Sequence, residues 1–320
     1  MSTPVVAVTD TVFPSLDPAR AALAGTGAEL RMAAAPTVEG ILAVAADADA
    51  LLVTYAKITA VVIAGLKNCR VIGRFGIGVD NIDRAAAAAA GITVTYAPVY
   101  CLDEVSDHAM ALLLSLARKI PYSTKLVSSG RWEMPAVVPI SRLRGNKLGL
   151  VGLGNIPQTI VPKAQAFGLD ILAADPYAPD EVFERLNVTR VDFDELLRTS
   201  DYISIHAPLT TETEKMFNAE AFAKMKNNAL LINTARGPLV DTDALADALE
   251  AGQIRGAALD VLPVEPPPAD SRLVGRDDVI LTPHTGFYSE DALLDLQTTV
   301  ATDVATVLQG GAPKYPVKPR

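Results

Sequence analysis

The run Lys147-Leu148-Gly149-Leu150-Val151-Gly152-Leu153-Gly154-Asn155-Ile156-Pro157 decides the fold. Leu148 to Val151 is a short apolar strand, and a helical pattern follows Pro157. Gly152 permits a tight turn where the strand ends. Gly154 lets the backbone approach a pyrophosphate, and Asn155 and Ile156 lie where a helix N-terminus offers N–H groups and a positive dipole end. A lone Gly-x-Gly pair also occurs in ordinary turns. Its context carries the reading: strand before, helix after, and an acid about 20 residues on. That acid is Asp175, ending the next strand. A carboxylate there accepts hydrogen bonds from ribose hydroxyls and repels a 2′-phosphate, which predicts NAD rather than NADP. Pro157 stands where such loops usually carry a third glycine. Proline is tolerated in a first helical turn, so a slightly displaced helix is expected and not a lost site.

Outward from this unit, short apolar runs alternate with alanine-rich amphipathic segments. Val5 to Val8, Leu51 to Val53, Val71 to Ile72 and Thr93 to Thr95 read as strands. Ala19 to Ala24, Val38 to Ala46, Thr59 to Leu66 and Asp83 to Ala90 read as the helices between them. This is the rhythm of an α/β protein whose parallel sheet is covered on both faces. One long helix, Glu104 to Ile120, is expected to stop at Pro121. A second series then follows, with strands at Leu148 to Val151, Ile171 to Ala174, Tyr202 to Ile205, Ala229 to Ile232, Gly256 to Asp260 and Val279 to Leu281. A last helix, about Ser289 to Leu308, can join either series on pattern alone.

The 320 residues suffice for two domains of ordinary size. Lys plus Arg is 28 against 37 Asp plus Glu, a net charge of −9. That balance argues against nucleic acid and against an anionic membrane surface as partners. A small anionic substrate stays open, because a few local cations decide it. Cys69 and Cys101 have no metal-ligand spacing and form no disulfide framework, so two reduced thiols are expected. No apolar run approaches the ~18 residues of a membrane span, and the start of the chain lacks the pattern of a signal peptide. A cytoplasmic protein is the expectation.

Three separate pieces each end an apolar run on a polar residue. Asn233-Thr234-Ala235-Arg236-Gly237 supplies Arg236, Asp260-Val261-Leu262-Pro263-Val264-Glu265 supplies Glu265, and Thr282-Pro283-His284-Thr285-Gly286 supplies His284. An arginine grips a carboxylate with two prongs. A histidine passes a proton near neutral pH, and a glutamate beside it holds it and favours its charged form. Together they are what a 2-keto acid needs in order to accept a hydride and a proton.

With these pieces, the chain resembles the D-isomer-specific 2-hydroxyacid dehydrogenases, the family that includes phosphoglycerate dehydrogenase. The resemblance runs through Gly73-Arg74-Phe75-Gly76-Ile77-Gly78-Val79-Asp80-Asn81-Ile82-Asp83, Glu104-Val105-Ser106-Asp107-His108, the glycine loop and His206-Ala207-Pro208-Leu209-Thr210. Tyr100 to His108 and Phe287-Tyr288-Ser289-Glu290 look most like the C-terminal-binding-protein-like branch, whose members often carry Trp where Phe287 stands and Pro where Lys57 stands. The family implies two doubly wound parallel-sheet domains, Rossmann-like and flavodoxin-like, with the cleft between them. Residues 100–287 would form the NAD domain, and 1–99 with 288–320 the substrate domain. A homodimer would form through the long helix, with Trp132 in its arm.

The resemblance also implies roles. Arg236 would bind the substrate carboxylate, His284 would protonate the keto oxygen, and Glu265 would orient His284. Thr234 and Ala235 would face the cofactor through their backbone, His206 and Pro208 would line its adenosine side, and Asp260 would lie near the nicotinamide. Val105 and Gly286 would complete the cofactor contacts. Tyr55, Lys57, Arg74, Ile77, Gly78 and Phe287 would shape the substrate pocket, with Arg74 and Lys57 able to hold a second acidic group. His108 reads as packing. Two other readings stay open: an NAD(H)-sensing scaffold with little turnover, and oxidation of another small acid such as phosphite or formate. The chain ends soon after the last helix, so no appended regulatory domain is expected.

Overall fold

The computed structural model describes residues 3–318. The outermost positions of the expected domain boundaries, 1–2 and 319–320, lie outside them. The chain divides into two compact α/β units, Met1–Tyr100 with Ser289–Arg320, and Cys101–Tyr288.

Among the described residues the first unit holds five parallel strands: β1 (Val5–Val8), β2 (Glu29–Met32), β3 (Ala50–Val53), β4 (Val71–Arg74) and β5 (Thr93–Thr95). Their order is β2-β1-β3-β4-β5, a flavodoxin-like arrangement. β1, β3 and β4 are buried along their whole length, as parallel strands covered on both faces must be. β2 lies at the edge and alternates charge with apolar residues, which hides it from a search for apolar runs. The Glu290–Leu308 helix packs on β4 and on the Asp17–Leu23 helix. Gln297 donates to the Ser15 carbonyl at 3.0 Å, and Arg70 donates to the Leu308 carbonyl at 3.2 Å. The last helix therefore completes the first unit, a point the sequence pattern leaves open.

The second unit holds β6 (Lys147–Val151), β7 (Asp170–Ala174), β8 (Thr189–Arg190), β9 (Tyr202–Ile205), β10 (Leu230–Asn233), β11 (Gly256–Leu259) and β12 (Val279–Leu281). All pair in parallel, in the order β12-β11-β10-β9-β6-β7-β8. The order reverses between β6 and β9. Open α/β sheets bind ligands at such a switch point, beyond the carboxyl ends of the strands. Helices start where a short polar side chain accepts a first-turn N–H, as at Thr37, Asp83, Asp192, Asn218, Asp241 and Ser289. Each cap contributes about 1 kcal/mol.

The single helix expected over Glu104 to Ile120 is two helices, Leu102–Ala117 and Ile120–Ser128. Lys119, at φ 54°, turns the chain between them. Pro121 does not stop the first helix; it sits in the first turn of the second, where a missing N–H leaves no bond unmade. Among the described residues no helix is long and apolar enough to cross a membrane.

Candidate active site

At the carboxyl end of β6, Gly152 takes φ 95°, a left-handed conformation that favours glycine. A Cβ there would also lie 3.0 Å from the His206 carbonyl oxygen, so this turn abuts the one after β9. A Cβ on Gly154 would meet nothing within 4 Å. The Asn155–Ala166 helix begins there without a side-chain cap, and its first backbone bond runs from Gln158 N–H to the Gly154 carbonyl. The N–H groups of Asn155 and Ile156 thus lie at an uncapped, positive helix end. A pyrophosphate fits that cradle on the chemistry of its donors. Pro157 is buried in the first turn, among positions whose N–H needs no intrahelical partner.

Asp175 directly follows β7 and does more than the sequence suggests. It accepts Leu153 N–H at 2.7 Å, Tyr177 N–H at 2.8 Å and Ala178 N–H at 3.1 Å. The expected ribose acceptor therefore also fixes the glycine loop. Oδ1 takes both the Tyr177 and Ala178 N–H groups, while Oδ2 takes only Leu153 N–H and keeps a lone pair for a further donor. His206, after β9, shares a 2.8 Å hydrogen bond between Nε2 and Ser204 Oγ. Burial pushes its imidazole down to about 3, so it is neutral near pH 7. Pro208 is exposed, while Val105 is buried in the Leu102–Ala117 helix. Thr234 Oγ1 is buried and has no hydrogen-bond partner among the described residues, an orphan of the kind a bound group would satisfy.

The three polar pieces follow β10, β11 and β12 at the same sheet edge. After β10, Asn233 braces the turn from both sides: its Oδ1 accepts Ala235 N–H at 3.0 Å, and its Nδ2 donates to the Arg236 carbonyl at 2.9 Å. Arg236 Nη1 donates to the Ala235 carbonyl at 2.8 Å. A Cβ on the next residue, Gly237, would lie 1.9 Å from the carbonyl carbon of Leu262. Only glycine lets the Arg236 turn press against the loop that carries Glu265. In that loop Glu265 Oε1 accepts Leu262 N–H at 2.9 Å, and Oε2 meets His284 Nδ1 at 2.8 Å. Burial alone would raise the Glu265 carboxyl; the hydrogen bonds from His284 and Leu262 outweigh it and leave the carboxyl below its ordinary value. Glu265 is thus ionised at neutral pH and holds the proton on Nδ1. Phe287 stands edge-on to the His284 ring, with centroids 6.1 Å apart.

His284 has φ 54°, a strained conformation for a residue with a Cβ, costing on the order of 1 kcal/mol. The turn is held from beneath by Asp260, which is 3% exposed. His284 N–H donates to the Asp260 carbonyl at 2.8 Å, and the Asp260 carboxylate accepts Thr285 N–H and Gly286 N–H, each at 2.9 Å. Burial pushes this carboxyl upward, but its hydrogen bonds from His108, Thr282, Gly286 and Thr285 bring it below its ordinary value. Asp260 and Gly286, expected as cofactor contacts, also form part of the support for His284.

Residues 110–286 match the model of the NAD-binding domain of the D-isomer specific 2-hydroxyacid dehydrogenases. The chain belongs to that family. It is 43% identical over 284 residues to D-3-phosphoglycerate dehydrogenase of Methanocaldococcus jannaschii, a match covering 88% of this chain and 54% of the relative. The chain spans about half the length of the curated relatives it matches. The crystal structure of the TT0316 protein from Thermus thermophilus superposes with TM-score 0.89 at 33% identity, covering 98% of this chain and all of that one. D-lactate dehydrogenase from Aquifex aeolicus, solved with NAD and lactic acid, gives TM-score 0.87 at 27% identity and 96% coverage of each chain.

The family member's remaining expected residues lie in the first unit. Tyr55 and Lys57 are exposed on the loop after β3. Asp10 organises that loop by accepting the N–H groups of Thr54, Tyr55 and Ala56 at 3.0, 2.6 and 3.1 Å. Asn81 donates to the carbonyls of Thr54 and Ala56 from the other side. Arg74 is 9% exposed at the end of β4, and is no ordinary surface charge. Ile77 and Gly78 follow it, half-buried. The supporting parts played by Asp10, Asn81, Asn233, Gly237 and Thr282 have no signal in the sequence beyond the places of the last four in the motifs quoted above.

Proposed function

We propose that this chain is a cytoplasmic, homodimeric, NAD-dependent oxidoreductase that interconverts a D-2-hydroxy acid and a 2-keto acid. The observation that carries the reading is the Glu265–His284 pair beside the Arg236 turn, on the sheet edge that also bears the cradle. Asn155 and Ile156 N–H would hold the pyrophosphate, Asp175 the ribose, and Thr234, Ala235, His206, Pro208 and Val105 the rest of the dinucleotide. When bound, NADH supplies the hydride.

The residues of the chain supply the rest. Arg236 binds the substrate carboxylate by its fork and draws electron density from the keto oxygen. With Nδ1 committed to Glu265, His284 delivers its proton from Nε2 to that oxygen, and Glu265 steadies the resulting tautomer. In oxidation the same nitrogen takes the proton back. From the first unit, we assign substrate roles to Tyr55, Lys57, Arg74 and the backbone of Ile77 and Gly78, and from the second to Phe287. Dimerisation is supported by an exposed apolar segment in which Trp132 is 89% and Met134 75% exposed.

The decisive measurement is loss of NADH absorbance with a panel of 2-keto acids, with and without a second anionic group. Turnover is expected, with doubly acidic substrates preferred if Lys57 and Arg74 act together. Tight NADH binding with no turnover on any keto acid would overturn the proposal.

A further inference from the structure

His108 lies 174 residues from Thr282 in sequence, yet its Nε2 stands 2.9 Å from Thr282 Oγ1. The same nitrogen is 3.3 Å from Asp260 Oδ1. Thr282 Oγ1 is 2.6 Å from Asp260 Oδ1. These three distances fix the protons. The Asp260 carboxyl accepts Thr285 N–H on Oδ1 and Gly286 N–H on Oδ2, so both oxygens are acceptors, in keeping with a carboxyl held below its ordinary value. The Thr282 hydroxyl has one proton, and the 2.6 Å contact commits it to Asp260. His108 Nε2 must therefore carry a hydrogen, donated to the Thr282 oxygen and the Asp260 carboxylate. The ring also touches the turn directly: a Cβ on Gly286 would lie 3.3 Å from His108 Cδ2 and 2.9 Å from Asp260 Oδ2.

Asp260 is the point where the supports of the strained His284 turn converge, through Thr285 N–H, Gly286 N–H and the His284 N–H bond to its carbonyl. We infer that His108 is a positioning residue for proton transfer: its Nε2–H, relayed through Thr282, orients the Asp260 carboxylate that holds the His284 turn. This rests on His284 being the acid. His108 touches neither reacting atom in this scheme and acts through Asp260.

Two measurements test it. Long-range ¹H–¹⁵N correlation spectra of the wild-type protein, with its three histidines assigned by single His→Gln variants, should show His108 with its proton on Nε2. A proton on Nδ1 alone overturns the inference whatever the enzyme does. In steady-state assays, His108→Leu should lower kcat on the order of 10²-fold, the scale of misplacing a reacting group by ~1 Å. His108→Gln, which returns an N–H donor near the Nε2 position, should recover most of that loss, and Thr282→Val should copy the Leu variant. A purely structural ring would not be rescued by an amide donor. Equal kcat for His108→Leu and wild type, or equal losses in the Leu and Gln variants, would overturn it. A wild-type protein inert to all keto acids would defeat the proposed reaction and leave the tautomer result to decide His108.

Discussion

Two turns at the carboxyl edge of one sheet are built in opposite ways. The turn after β6 is open: Gly154 has empty space around its missing Cβ, and the helix that starts there has no side-chain cap on its first N–H groups. The turn after β12 is closed: His284 is strained, and the N–H groups of residues 284, 285 and 286 all end on Asp260. Binding a ligand requires donors left over. Passing a proton, the role proposed for His284, requires a ring that does not move, and there the donors are used up inside the protein. The same backbone chemistry serves both ends, and the buried acid under the second turn makes the difference.

The comparison can be broken at either end. The largest effect is expected at the closed turn, where His284→Ala should cut kcat for reduction by roughly 10²–10⁴-fold, the usual worth of a general acid. Unchanged kcat in stopped-flow and steady-state assays would remove His284 from that role. At the open turn, Gly154→Ala should leave thermal stability nearly unchanged, because the new methyl meets no protein atom within 4 Å. It should raise KM for NADH by about tenfold, or ~1.4 kcal/mol, by occupying the approach of the pyrophosphate. An unaltered KM would mean that the empty space serves no ligand.

The smallest effect concerns His206, at the floor of the open turn. Its folded-state value of about 3 lies below the 6.5 of an ordinary histidine. Below pH 6.5 the unfolded chain binds a proton that the folded chain refuses, so stability falls as pH drops from 6.5 toward 3. Glu265 and Asp260, both lowered, add their own losses only at more acidic pH, as each carboxylate is protonated. Melting temperature should therefore begin to decline near pH 6 before the carboxylates act, and His206→Gln should flatten that first decline. The same slope in both proteins would place the acid sensitivity elsewhere.

How much of this was readable beforehand depends on the kind of contact. Central strands such as β1, β9 and β10 announce themselves, because burial on both faces forces an apolar run. Edge strands β2 and β8 do not, since Glu29, Arg31 and Arg190 can stand in solvent there. The first helix ends at Ala117, three residues before the expected Ile120, because a left-handed turn can be made by an ordinary residue, Lys119, once packing offsets the strain. Arg236, Glu265 and His284 were legible as single polar residues closing apolar runs. Their supports were not. Asn233, Thr282 and His108 look like any strand-end or helix polar residue until the sheet brings β11 and β12 beside the Leu102–Ala117 helix. Gly237 could be counted, but nothing in the sequence says that Leu262 lies against it.

The closing helix of the first unit has a consequence for how the molecule is made. A ribosome emits β1 through β5 first, then the whole of Cys101–Tyr288, and only afterwards Glu290–Leu308. Residues 101–288 are contiguous and can close their sheet as soon as they emerge. The first sheet must wait with β4 uncovered until the last helix arrives, so the half translated first is the half finished last. For the length of that delay, the nascent chain exposes the apolar face that Val300 and Val304 later cover, the interval in which a holding chaperone would matter most.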